Sequence, residues 1–239
     1  MAEQQTELVY GFHPIIEILK AKKRKIMAIY TTRPEPKAWK FIKDRLPVYP
    51  ITTNYVSRDV LTRMAGTTDH QGIVAYAAPF ILRKKPFLPD ASPKIILLDG
   101  IQDPRNVGAI IRSAHCTGMN GIILCAKNAS PITPTVLKSS AGLAEHCEIK
   151  IATSAKTAVQ ELKAAGYNIF LTVLDKGTDA TTVAFTSPLC LVIGSEEVGI
   201  SSDIATSGVR VTLPQKTEDI SYNASVAAGI FMFLVMQQK

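Results

Sequence analysis

The feature that most constrains this chain is a string of short, unbroken apolar runs after residue 94. Residues 94–98, 121–125, 167–173, 188–193 and 209–213 are rich in Ile, Leu and Val and do not alternate with polar residues. Segments of helical spacing at 106–117, 154–165 and 222–236 lie among them. A strand with one wet face alternates, whereas a strand buried on both faces reads as a continuous apolar run. The pattern therefore predicts an α/β fold whose parallel sheet is covered on both sides by helices. Ligands in such sheets settle beyond the carboxyl ends of the strands, so the loops after these runs are where chemistry is expected.

Upstream lies a smaller α/β module. Spacing over 13–22 predicts a helix with Ile15, Ile16, Ile18 and Leu19 on its apolar face, and further helices are expected at 36–45 and 56–64. Strands are expected at 26–30, 48–51 and 72–78. The stretch 79–93 holds four prolines and the basic triplet Arg83-Lys84-Lys85 without periodicity. Proline removes a backbone donor and restricts its preceding neighbour, so this stretch reads as a linker. The expected domains are 1–79 and 94–239, joined by 80–93.

Charge divides along the same line. The net charge is +7, yet residues 1–90 carry 15 Lys/Arg against 8 Asp/Glu, while residues 91–239 carry 12 of each. A basic module beside a neutral one suits a part that grips a polyanion, although a solvated lysine-rich surface gives the same count. There is no apolar run of 18 residues and no basic-then-apolar leader at the amino terminus, so a cytoplasmic protein without a membrane span is expected. Cys116, Cys125, Cys147 and Cys190 form no CxxC pair and sit in apolar segments, which predicts buried free thiols and no metal site.

Three polar segments follow strand ends in the second domain. In the first, 99–113, Asp103-Pro104 makes a turn, Asn106 is placed to cap the next helix, and Arg112 lies within it among Ile110, Ile111 and Ala114. Such an arginine must reach a carboxylate, solvent or an anionic ligand. The second segment, Ile193 to Gly199, places Gly194 after a buried strand, where glycine permits close backbone approach. It is neither a GxGxxG nor a P-loop, and Glu196 and Glu197 would repel phosphate while suiting a cationic group such as a sulfonium. The third, 213–225, supplies Ser221 and Asn223 at a helix start, where ordinary capping is the plain alternative.

Together, NVGAIIRSAHCTG (106–118), LVIGSEEVG (191–199) and LPQKTEDISYNASVAAGI (213–230) resemble the three signature motifs of the SpoU (TrmH-like) branch of the SPOUT RNA methyltransferases, in the same order. VYGFHPIIEIL (9–19) and DHQGIVA (69–75) resemble the substrate-binding domain of bacterial 23S rRNA guanosine-2′-O-methyltransferases. The resemblance implies an L30e-like domain, then a parallel α/β domain with a deep trefoil knot. It implies a homodimer through the knot region, with Ile230, Phe231, Phe233 and Leu234 helping to bury the contact. It implies S-adenosyl-L-methionine as cofactor and ribose 2′-O-methylation of RNA, most directly a guanosine of 23S rRNA. A tRNA ribose and a non-catalytic RNA-binding assembly role are the alternatives.

By the same resemblance, Asn106, Arg112, Glu196, Ser221 and Asn223 are the candidate catalytic residues. Thr172, Val173, Gly194, Leu213 and Tyr222 are the candidate cofactor contacts. Arginine resists deprotonation, so Arg112 is expected to clamp a phosphate, with Glu196 fixing Arg112 or Asn106. His70 and Gln71 are expected either to touch RNA or to form a turn. Two departures stand out: Tyr222 replaces the family's usual leucine, and the loop 215–220 is acidic.

Overall fold

The computed structural model describes residues 6–127, 129–216 and 221–238. The chain forms two compact units. Unit 1 comprises Met1–Ile81 together with Ile132–His146, and unit 2 comprises Leu82–Pro131 together with Cys147–Lys239.

Unit 1 is built on a four-stranded sheet of β1 (Glu7–Tyr10), β2 (Ile26–Thr31), β3 (Thr52–Tyr55) and β4 (Ile73–Ala77), in the order β1-β4-β2-β3. β4 runs antiparallel to both its neighbours, and β2 and β3 are parallel. Three helices accompany it: α1 (Phe12–Ala21), α2 (Trp39–Lys43) and α3 (Arg58–Ala65). α1 buries Ile15, Ile16, Ile18 and Leu19 as its spacing requires, and ends on Lys22, whose left-handed backbone returns an N–H to the Ile18 carbonyl. α3 starts at Ser57, which accepts from the Val60 N–H, and stops at the left-handed Gly66.

Two expectations fail here. The strand expected at 48–51 lies instead at Thr52–Tyr55, and Val48 is fully exposed. Pro47 and Pro50 bracket that stretch and deprive it of ladder donors. The helix expected over 36–45 is confined to Trp39–Lys43, where Trp39 and Ile42 are buried.

Residues 132–146, which the domain boundaries drawn from sequence place in the second domain, pack within unit 1. They form α5 (Pro134–Ser139) and a 3-10 turn, Leu143–His146, burying Val136, Leu137 and Ala144. Gly142 makes the approach possible: a Cβ there would sit 2.8 Å from both the His13 carbonyl oxygen and the Pro14 Cα. A buried ion pair completes the contact. Arg24, inside the basic run 22–25, turns inward and bonds Glu145 at 2.6 Å, Glu7 at 3.0 Å and the Ala78 carbonyl at 2.9 Å. Burial pushes the Glu145 carboxyl up from its ordinary value, against the pull of Arg24.

His70 is fully buried. Its Nδ1 accepts from the Gly72 N–H at 3.0 Å, which leaves Nε2–H to donate to Thr62 Oγ1 at 3.1 Å. Of its two expected roles it takes the turn. Gln71 is exposed, and its Oε1 accepts from the Phe12 N–H and from Lys138 Nζ.

Unit 2 carries seven parallel strands: β5 (Lys94–Asp99), β6 (Gly121–Cys125), β7 (Ile149–Ala152), β8 (Asn168–Thr172), β9 (Thr178–Asp179), β10 (Leu189–Gly194) and β11 (Val209–Thr212). Their order is β7-β6-β5-β10-β8-β11-β9. The helices are α4 (Pro104–Cys116), α6 (Ala155–Ala164) and α7 (Ala224–Gln237). The central strands are buried nearly end to end, as their unbroken apolar runs foretell.

The linker reading of 80–93 needs correction. Phe87 is 2% exposed and lies in the same core cluster as Leu97, Ile123 and Val192. Arg83 donates its N–H to the Ile149 carbonyl, stacks its guanidinium over Phe87 and pairs with Glu148. The cysteines also divide: Cys125 and Cys190 are buried, Cys147 is half-buried and Cys116 is exposed. Burial raises the Cys125 thiol to about 12 and pushes the Cys190 thiol up as well. Among the described residues no helix is long and apolar enough to cross a membrane.

Arg24→Met would strand Glu145 as a buried unpaired charge, so it is expected to lower unfolding free energy by about 3–5 kcal/mol in urea denaturation. Adding Glu145→Leu to that variant should recover most of the loss.

Candidate active site

Strand register sets the site. β10 pairs with β5 so that Gly194 stands level with Asp99, and with β8 so that Val192 stands level with Leu171. β11 in turn aligns Val211 with Thr172. Four carboxyl ends therefore finish along one edge, and the loops leaving β8, β10 and β11, with the start of α7, enclose a cavity of about 400 Å³ within unit 2. Pockets for small ligands run from roughly 300 to 1,000 Å³.

The loop after β10 folds back on itself. Ser195 and Gly199 exchange backbone hydrogen bonds of 3.1 and 3.0 Å, and Ser195 Oγ accepts from the Val198 N–H. Gly199 has a φ of +70°, and a Cβ on Gly194 would collide with the Gly199 backbone. Only glycine lets the two arms lie this close. The returning arm is anchored by Asp99, a buried carboxylate at the end of β5 that accepts from both the N–H and the hydroxyl of Ser201 at 2.8 Å. On the opposite wall, Thr172 Oγ1 donates to the Val192 carbonyl and Thr212 Oγ1 to the Leu174 carbonyl.

The structure gathers most of the residues singled out in the sequence. Thr172, Val173, Gly194, Glu196, Leu213, Ser221 and Tyr222 all line the cavity. Asn106 joins it through Glu196: its Nδ2 donates to Glu196 Oε1 at 2.5 Å. Asn106 is not the helix cap that its position suggests. Asp103 caps α4 by accepting from the Arg105 N–H, which leaves the Asn106 amide, in the first turn, free to face the loop.

The remaining two lie elsewhere. Asn223 is the N-cap of α7, accepting from the N–H and hydroxyl of Ser225, and does not line the cavity. Arg112 is exposed on α4, is not part of the cavity wall, and pairs with no carboxylate among the described residues. Of the acidic loop 215–220, Gln215 borders the cavity, and residues 217–220 lie outside the described residues.

Several cavity residues escape sequence reading. Asp175, Arg210 and Phe231 line it, and the Asp99–Ser201 anchor shapes it. An acid at a strand end was visible for Asp99, but its partner lies 102 positions away and emerges only once β5 and β10 are paired.

The wall suits an adenosyl sulfonium. Leu171, Val173, Ile193, Leu213 and Phe231 offer apolar surface for a purine, and Asp175, Glu196 and Glu197 supply negative charge for a cationic sulfur.

Residues 93–233 match the SpoU rRNA Methylase family, and residues 8–81 match the family described as RNA 2′-O ribose methyltransferase substrate binding. The chain belongs to the SpoU rRNA methylase family. It is thus a methyltransferase by descent, in a family whose methyl donor is S-adenosylmethionine. An uncharacterized tRNA/rRNA methyltransferase of Synechocystis is 31% identical over all of this chain, which spans only 64% of that relative. A 23S rRNA (guanosine-2′-O-)-methyltransferase of Blochmanniella floridana is 29% identical, with 98% of this chain and 96% of the relative covered. The crystal structure of the SpoU methyltransferase AviRb from Streptomyces viridochromogenes, in complex with AdoMet, superposes with a TM-score of 0.82 at 22% identity, covering 97% of this chain and 89% of that one. A crystal structure titled RNA 2′-O ribose methyltransferase gives 0.86 at 18% identity, covering 98% and 89%.

Gly194→Ala is expected to force apart the two arms of the loop after β10. Calorimetry with S-adenosylhomocysteine should then show binding lost, while thermal melting remains cooperative with a penalty of about 1–3 kcal/mol.

Proposed function

We propose that this protein methylates a ribose 2′-hydroxyl in structured RNA, with a guanosine of 23S rRNA as the target and S-adenosylmethionine as the donor. The observation that carries this reading is the Asn106–Glu196 hydrogen bond at the rim of a cavity whose wall also holds Ser221. When bound, S-adenosylmethionine supplies an electrophilic methyl group whose sulfur leaves as a neutral thioether.

The chain's own residues have four tasks. The apolar wall would hold the adenosine and exclude water. Glu196 orients the Asn106 amide, leaving Asn106 Oδ1 to accept a hydrogen bond from the ribose hydroxyl and turn an oxygen lone pair toward the methyl, the hydroxyl proton passing to bulk water as the new bond forms. Ser221 offers a further hydrogen bond to the nucleotide from the cavity wall. Arginine side chains resist deprotonation, so Arg112 would hold a backbone phosphate rather than remove a proton. Unit 1 would supply phosphate contacts from its excess of Lys and Arg. The 2′-hydroxyl nucleophile restricts the substrate to RNA, which fits a cytoplasmic setting.

The same reading includes a homodimer and the family's trefoil knot. α7 packs against α4 yet leaves Val226 and Phe233 half exposed and Met236 38% exposed, and together with Ile230 these form one apolar stripe. A second copy covering that stripe would remove it from water. Arg112, on the neighbouring helix and off its own chain's cavity, would then act on RNA held across the pair. The knot rests on the family resemblance.

Incubating the protein with labelled donor and rRNA or tRNA from cells lacking it, then mapping 2′-O-methyl groups, tests the function directly. Methyl groups on 23S rRNA are expected, methyl groups confined to tRNA would move the target, and none on either would overturn the reading. Arg112→Ala should cut transfer by roughly a hundredfold and leave donor affinity unchanged by calorimetry. Phe233→Glu should shift the protein from dimer to monomer in sedimentation equilibrium; a monomeric parent protein would remove the dimer from the proposal.

A further inference from the structure

Methyl transfer as described gives Arg210 no task and Asp175 only a share of the cavity's negative charge, although both line the cavity. Arg210 is exposed on β11, and its Nη2 lies 3.4 Å from the Asp175 carbonyl oxygen. It is the one cationic side chain among the described residues that line the cavity, which Asp175, Glu196 and Glu197 also line. Asp175 is itself exposed in the turn after β8, where the Thr212 hydroxyl holds the preceding Leu174 carbonyl at 2.9 Å. The guanidinium thus lies against the Asp175 backbone, while the Asp175 side chain stays exposed at the same cavity.

Neighbouring opposite charges that do not neutralise each other match a ligand carrying both signs on one carbon. An α-amino-acid head has that character: a carboxylate that needs a planar donor pair, and an ammonium that needs an acceptor. Glu196 is already bonded to Asn106; of the two carboxylates that remain on the wall, Asp175 and Glu197, Asp175 is the one whose backbone the Arg210 guanidinium reaches.

We propose that Arg210 and Asp175 form a clamp for the amino-acid tail of the methyl donor, Arg210 taking its carboxylate and Asp175 its ammonium. This rests on the methyl-donor reading above. It assigns tail recognition to the strand β11 and the turn after β8, apart from the loop 194–201 that carries Glu196.

Two ligands separate tail from nucleoside. S-adenosylhomocysteine has the amino-acid tail, and 5′-methylthioadenosine lacks it while keeping the adenosine and the thioether. Calorimetry on the full chain should show Arg210→Ala and Asp175→Asn weakening S-adenosylhomocysteine by roughly tenfold each, with 5′-methylthioadenosine held within about twofold. The retained nucleoside affinity reports that the cavity is still folded. Equal losses for both ligands, no loss for either, or a parent protein that binds the two equally well would overturn the clamp. A parent protein that binds neither would overturn the methyl-donor reading and the clamp with it.

Discussion

The parallel pairing of β10 with both β5 and β8 is the constraint on which unit 2 depends. A parallel ladder fixes not only which strands are neighbours but where each one ends. Here it brings Gly194 level with Asp99, so the loop leaving one strand meets the acid ending the other. The Ser201 anchor, the tight Ser195–Gly199 return and the reach of Glu196 to Asn106 all follow from that alignment. Slip the register by one residue and every side chain on β10 changes face, with buried Cys190 and Val192 trading places with their neighbours.

Much of this was legible beforehand, and for identifiable reasons. Unbroken apolar runs betrayed the buried parallel strands because both faces of each must be dry. Two of the three polar segments, 193–199 and 213–225, supply residues that border the cavity, as their position after buried strands suggests. What stayed hidden depends on pairing at a distance. Asn106 looked like a cap because Asp103, three residues earlier, could not be known to hold that post. Nothing local marks Arg24 as buried, because its partner Glu145 is 121 positions away. β1 (Glu7–Tyr10), α5 and the short β7 and β9 left too few residues for a period to show. Phe87 looked like linker because prolines surround it, yet one buried ring converts a connection into core.

The site also illustrates how one residue type serves two ends. Asn106 and Asn223 both lie in polar segments at helix starts, and sequence treats them alike. In the fold, Asn223 spends its acceptor on its own helix, through Ser225, while Asn106 is relieved of that duty by Asp103 and turns to Glu196. The difference is one of supply: a helix start needs a single good cap, and whichever residue provides it frees the next.

The division of the chain has an effect on how the protein can be taken apart. Backbone passes between the two units three times, after Ile81, after Pro131 and after His146. Severing the chain once, anywhere in 82–93, therefore cannot release unit 1, because 132–146 stays continuous with unit 2 at both of its ends. A truncated protein beginning at residue 82 would not be a clean catalytic half either. It would carry Val136, Leu137 and Ala144 with nothing to cover them, and a Glu145 deprived of its arginine. Unit 1 is in this sense woven into the chain rather than appended to it, and neither unit can be exchanged without the other being recut.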